Sequence, residues 1–217
     1  MQFSFEQLIL SPGNEIAFNG VSWQQFEHLL ASTENHRFRL SYNKGLLKII
    51  APSAEHEYDK KLLANLLEAL LDELELEFIG LGSVTLKQSV YAKGAEPDEC
   101  YYIQNAEKIR GKPRIDLQID PPPDLVVEVD ISSKTDLTIY QALGVPEVWL
   151  YTDAGLSIYR LEDTGYKFSE TSPLFPVPGL SECVTRLVER SKKMGRSVVM
   201  REFKAWLAEK LNNVGST

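Results

Sequence analysis

Apolar residues recur along this chain with two different periods. Over residues 21–32, Trp23, Phe26, Leu29 and Leu30 fall on one side of a helical turn, and the spacing predicts a helix. Over residues 38–50 the apolar positions alternate on both arms of Asn43-Lys44-Gly45, which predicts a β-hairpin. Residues 53–77 return to helical spacing. Leu62, Leu63, Leu66, Leu67, Leu70, Leu71 and Leu74 make a stripe broad enough for a helix laid on a sheet. Residues 83–92 and 97–105 read as strands, and so does the apolar run from Leu125 to Ile131. A short helix is predicted around Leu137, Tyr140 and Leu143, ended by Gly144 with Pro146 close behind. Two more strands flank the turn Asp153-Ala154-Gly155, and a proline-rich crossing at 173–179 leads to one or two C-terminal helices.

The order is therefore α, β-hairpin, long α, β, β, β, α, β, β, α. Its middle, αβββαβ, predicts an α/β (α+β) fold: a mixed central sheet flanked by helices, with an N-terminal helix and hairpin and C-terminal helices. No repeat, low-complexity tract or linker interrupts the chain. One domain over 1–217 is expected, with a core at about 21–161 and a helical extension at 178–217.

Composition narrows the class. The chain is 43% hydrophobic and 25% charged, a globular balance that excludes disorder and coiled coil. No apolar run is long enough to span a bilayer, so no membrane association is expected. The opening Met-Gln-Phe-Ser-Phe-Glu has no basic residue ahead of its apolar ones and does not read as a signal peptide. Cys100 and Cys183 have neither metal nor redox spacing, which makes a reducing, cytoplasmic setting the expectation. The net charge of −8 counts against coating nucleic acid by charge alone, but leaves room for a local basic patch. The most basic stretch, residues 186–204, has seven basic residues against two acidic ones and reads either as a solvated helix face or as a phosphate contact.

The chemistry is concentrated around one strand. In period-two geometry Leu125, Val127, Val129 and Ile131 share one face. Asp124, Val126, Glu128 and Asp130 share the other. Glu128 and Asp130 either face water on a one-sided sheet or, if that face is covered, need a cation or a wet cleft. Asp98 follows Pro97 at the start of a neighbouring strand. Oxygen ligands from two adjacent strands suit Mg²⁺ or Mn²⁺. In Ser133-Lys134-Thr135-Asp136, Ser133 is the expected helix N-cap, with Lys134 at the first helical position beside the carboxylates.

Pro97-Asp98, Glu128-Val129-Asp130 and Lys134 in an αβββαβ core resemble the PD-(D/E)XK nuclease superfamily. More narrowly, "EPDECYYI", "DPPPDLVVEVDISSKT", "YQALGVPEVWLY" and "IYRL" look like a large bacterial restriction endonuclease family that began as a domain of unknown function. The resemblance implies a Mg²⁺- or Mn²⁺-dependent DNA endonuclease with no organic cofactor. It implies that Asp98 and Glu128 are metal ligands and catalytic acids. The superfamily lysine would fall at position 130, where this chain has Asp130. Lys134 is then the candidate replacement, and Asp130 an extra ligand or a tether for Lys134. Glu57 is the candidate acid from the first core helix, His56 its polar neighbour, and Lys87 a candidate phosphate contact. Double-strand cleavage would call for a homodimer. The alternative reading is a nuclease fold that binds a metal or partner without cutting.

Overall fold

The computed structural model describes residues 8–31, 38–131 and 133–214; the opening hexapeptide and Ser132 lie outside them. In chain order the elements are β1 (Glu15–Phe18), α1 (Trp23–Ala31), β2 (Arg39–Asn43), β3 (Leu46–Ile50), α2 (Ala54–Glu73), β4 (Ile79–Gly80), β5 (Leu86–Gln88), β6 (Lys93–Ala95), β7 (Glu99–Tyr102), α3 (Ala106–Ile109), β8 (Leu125–Asp130), α4 (Leu137–Leu143), β9 (Glu147–Thr152), β10 (Gly155–Glu162), β11 (Gly165–Ser169), α5 (Leu180–Met194) and α6 (Arg196–Val214). They form two sheets. One is antiparallel, in the order β1-β3-β2-β6-β5; the other is mixed, in the order β11-β10-β9-β8-β7-β4.

The mixed sheet is the centre of the molecule. β8 lies between β7, its antiparallel neighbour, and β9, its parallel one. A parallel pair needs a crossover, and α4 supplies it. One face of this sheet packs against α2, α5 and α6, with Leu125, Val127 and Val129 meeting Leu66, Leu70, Leu187 and Phe203 in one buried cluster. Each fully buried leucine of α2 contributes about 1.5–3 kcal/mol. The other face carries Val126 and Val148 against Ile139, Tyr140 and Leu143 of α4. β8 is thus covered on both sides, and the second face of the acidic strand does not look onto open water.

The α/β architecture follows the sequence pattern, with differences in detail. Of the strand expected over 83–92 only β5 forms; a single 3₁₀ turn at Ser89–Tyr91 and Ala92 at a left-handed φ of 49° end it, and β6 follows outside that range. β5 and β6 pair with each other and join the hairpin rather than the sheet of β7 and β8. Gly94 allows β6 to come this close to α1, because a Cβ there would stand 3.1 Å from the Phe26 ring. After β6 comes Pro97, which has no N–H to offer a ladder, and the chain crosses from one sheet to the other at that point. β1, β4 and β11 lie at sheet edges, and β1 and β4, of four and two residues, are too short to show a period. The helices after Pro178 are not an appendage: Leu187, Val188, Val199, Phe203 and Leu207 are all buried in the cluster under the mixed sheet.

The start of α4 also differs from expectation. Its N-cap is Asp136, whose side chain accepts the Thr138 N–H, and the helix begins at Leu137. Ser133 is not the cap, and Lys134 is not helical. The cause lies at the end of β8. Asp130 accepts both the N–H of Thr135 at 2.9 Å and its hydroxyl at 2.6 Å, which holds residues up to 135 in a loop and passes the capping position on to Asp136.

Candidate active site

Asp98 lies between Pro97 and the first residue of β7, and its side chain is 1% exposed. The neighbouring β8 main chain holds it: Asp98 Oδ2 accepts the Val129 N–H at 2.8 Å. In return the Asp98 N–H donates to Glu128 Oε2 at 3.2 Å. These two bonds cross between adjacent strands and lock the acids against each other. The hydroxyl of Tyr140, reaching down from α4, donates to Glu128 Oε1. Burial pushes the Glu128 carboxyl up to about 7, the Asp130 charge adds to that, and Arg39 and Tyr140 oppose it.

The positive charge in this site comes from Arg39 on β2. Its Nη1 forms an ion pair with Asp98 Oδ1 and lies 4.0 Å from Glu128 Oε2. Its Nη2 is 2.8 Å from Nε2 of His56, on the first turn of α2. The same Nε2 lies 3.1 Å from the Asp98 carboxylate; it can only accept from the guanidinium and only donate to the carboxylate, so one proton on this ring decides between the two bonds. The other ring nitrogen, Nδ1, is 3.3 Å from Glu57 Oε1. Burial, followed by the Arg39 charge, lowers His56 to about 4, so the ring is neutral and serves as a prop for the guanidinium.

The acids open onto a cavity of about 40 Å³, room for an ion or a water. Lys48, Asp130, Lys134 and Thr135 complete its wall. Lys134 is exposed there, and Asp130 holds Thr135 rather than Lys134. Arg39 and Glu96 line both this cavity and a wider groove of about 730 Å³. Glu57 and Lys87 line the groove, not the cavity. Lys87 is paired with Glu27 at 2.7 Å.

The structure therefore brings Asp98, Glu128, Asp130, Lys134 and His56 together and places Glu57 and Lys87 alongside. Sequence reasoning missed Arg39 and Tyr140. Arg39 alternates with the buried Phe38 and Leu40 on the hairpin. A cation on that opposite face is the usual solvated position, and its partner Asp98 is 59 residues away. Tyr140 read as part of the apolar stripe of α4, and its hydroxyl gave no separate signal.

The donor set suits a hard divalent cation. Asp98 and Glu128 offer only oxygen, and Mg²⁺ is commonly bound by one or two carboxylates with waters and substrate phosphate filling the rest. Among the described residues no three His, Cys, Asp or Glu side chains converge as a ready ligand cluster. Glu57 and Asp130 are accordingly engaged elsewhere, with His56 and Thr135 respectively.

The family model for Uma2, described as "Putative restriction endonuclease", matches residues 23–189. Among solved structures, a "putative nuclease belonging to DUF820" from Anabaena variabilis superposes with a TM-score of 0.50 at 12% identity, covering 72% of this chain and 91% of its own. At that identity the likeness is one of fold. A search among curated proteins finds no match. No helix among the described residues is long and apolar enough to cross a membrane.

Proposed function

The chain belongs to the Uma2 family of restriction-endonuclease-like proteins, and from that premise we propose that it is a metal-dependent nuclease hydrolysing phosphodiester bonds in DNA. One observation carries the reading. Asp98 and Glu128 are buried side by side, each side chain bonded to the main chain beside the other, and both line one small cavity. Burying two acids is costly unless a cation answers them.

Asp98 and Glu128 would hold Mg²⁺ or Mn²⁺; when bound, the ion supplies positive charge at the scissile phosphate and lowers the pKa of a coordinated water. The other residues prepare the site. Tyr140 fixes the rotamer of Glu128, and the Val129 N–H fixes that of Asp98. Neutral His56 steers Arg39. Lys134, on the loop before α4, is the cation free to turn toward an anionic oxygen in the cavity, the role of the lysine absent at position 130.

A second reading is a binding module that cuts nothing. Two observations favour it: Arg39 already neutralises Asp98, and Asp130 stands where the superfamily has lysine. Nicking of supercoiled plasmid with Mg²⁺ or Mn²⁺ separates the two. Wild type should nick, and Asp98→Asn and Glu128→Gln should each lose about 10²-fold or more, the usual effect of removing one transition-state contact. Absence of nicking by the wild type, or nicking that survives both substitutions, would leave the binding module.

A further inference from the structure

The cations of this acidic chain are unevenly placed. The groove beside the acid cavity is lined by Arg39, Lys60, Lys87 and Arg114 against only Glu57 and Glu96. Glu96 is turned into the protein, accepting the Leu40 N–H at 2.8 Å and the Thr85 hydroxyl at 3.1 Å. The two rim lysines hold weak, partly exposed ion pairs: Lys60 with Glu57 at 3.6 Å and Lys87 with Glu27 at 2.7 Å. Pairs of this kind are readily exchanged for another anion.

The rival basic region offers less. In residues 186–204, Arg190 is paired with Glu202 at 2.7 Å, Lys192 with the fully buried Asp59 at 3.3 Å, and Arg196 is bonded to Asn65. Lys192 and Arg196 tie α5 and α6 to α2, whereas the Arg190–Glu202 pair is as exposed as those at the groove rim. The groove also has the right position. It meets the acid cavity at Arg39 and Glu96, which line both, so a polyanion lying along it ends beside the Asp98–Glu128 cavity.

We infer that the groove bounded by α2, β5 and the segment 113–115 is the track of the sugar–phosphate backbone on one side of the scissile bond, with Lys60, Lys87 and Arg114 as its phosphate contacts. This rests on the nuclease reading above. The glutamates at the rim act as placeholders: Glu27 occupies Lys87 until a phosphate displaces it. Phosphate contacts carry no sequence information, so the track positions the strand without selecting a target.

Fluorescence anisotropy with labelled DNA, in Ca²⁺ and across a salt series, tests this. In Lys60→Ala/Lys87→Ala/Arg114→Ala, affinity near 0.1 M salt should fall at least about tenfold, and the slope of log K against log salt should shrink by about 2–3. Glu27→Gln should bind about two- to fivefold tighter, a gain that misfolding cannot produce. Wild-type affinity and slope in the triple variant would overturn the track. So would a loss produced instead by Lys193→Ala/Lys204→Ala on the C-terminal helices. If the wild type nicks plasmid while the triple variant binds normally, only the groove assignment fails. If the wild type neither nicks nor binds, the nuclease reading fails with it.

Discussion

Removing the guanidinium of Arg39 would leave Asp98 and Glu128, 1% and 10% exposed at their side chains, facing each other with no Lys or Arg among the described residues in contact. Breaking a buried ion pair from one side typically costs about 3–5 kcal/mol, because the partner stays behind uncompensated. Arg39→Ala should therefore lose about that much in urea unfolding with EDTA present, and Mn²⁺ should return part of it by answering the same two charges. A loss under about 1 kcal/mol would mean that water, not Arg39, balances the acids. Arg39 was not legible beforehand because its role depends on a partner in another sheet. Glu128 and Asp130 were legible, because a charged residue inside an apolar strand conflicts with its surroundings at the level of the pattern itself.

At the scale of elements, α4 and the loop before it place Tyr140 on Glu128 and Lys134 at the cavity. The cap Asp136 binds the Thr138 N–H at 3.0 Å, the Thr138 hydroxyl at 2.7 Å and the Asn43 amide at 2.6 Å, so it joins the helix to the hairpin turn as well as starting it. Asp136→Ala should destabilise by about 1–2 kcal/mol, the range for a lost N-cap, as read from the shift in denaturation midpoint. It should also slow plasmid nicking if the nuclease reading holds, since the Tyr140 end of the Tyr140–Glu128 bond then loses its registration. Ser133→Ala should change stability little, because Ser133 does not cap the helix. The reverse ranking of these two variants would restore the helix start expected from sequence. Two side chains compete for the capping task at this position, and Thr135 decided between them by binding Asp130.

For the whole molecule, the C-terminal helices complete the core under the mixed sheet. Leu187, Val188, Val199, Phe203 and Leu207 are each buried there against elements that include α2. Lys192 reaches across to Asp59, and the Tyr58 hydroxyl donates to the Ser191 carbonyl at 3.2 Å. A chain ending at Pro178 would expose the apolar face of α2 and strand Asp59 without its cation. Such a truncation should give an aggregating product without cooperative thermal unfolding by circular dichroism. A soluble, cooperatively folding fragment would show that the mixed sheet and α2 suffice, and that α5 and α6 are an addition.

Much of this arrangement was written locally. The stripe of leucines made α2, the alternation around Asn43-Lys44-Gly45 made the hairpin, and Gly144 and Pro146 ended α4, because period, turn geometry and capping act over a few residues. The pairing of Pro97-Asp98 with Glu128 was visible as a motif. What the chain did not reveal alone were the contacts closed across long separations. β5 and β6 joined the hairpin rather than the central sheet, Arg39 met Asp98, Tyr140 met Glu128, and the cations of the groove gathered beside the acids. Local pattern sets which face of a strand is apolar, but charge balance in a buried site is met by whichever group the packed fold brings within reach.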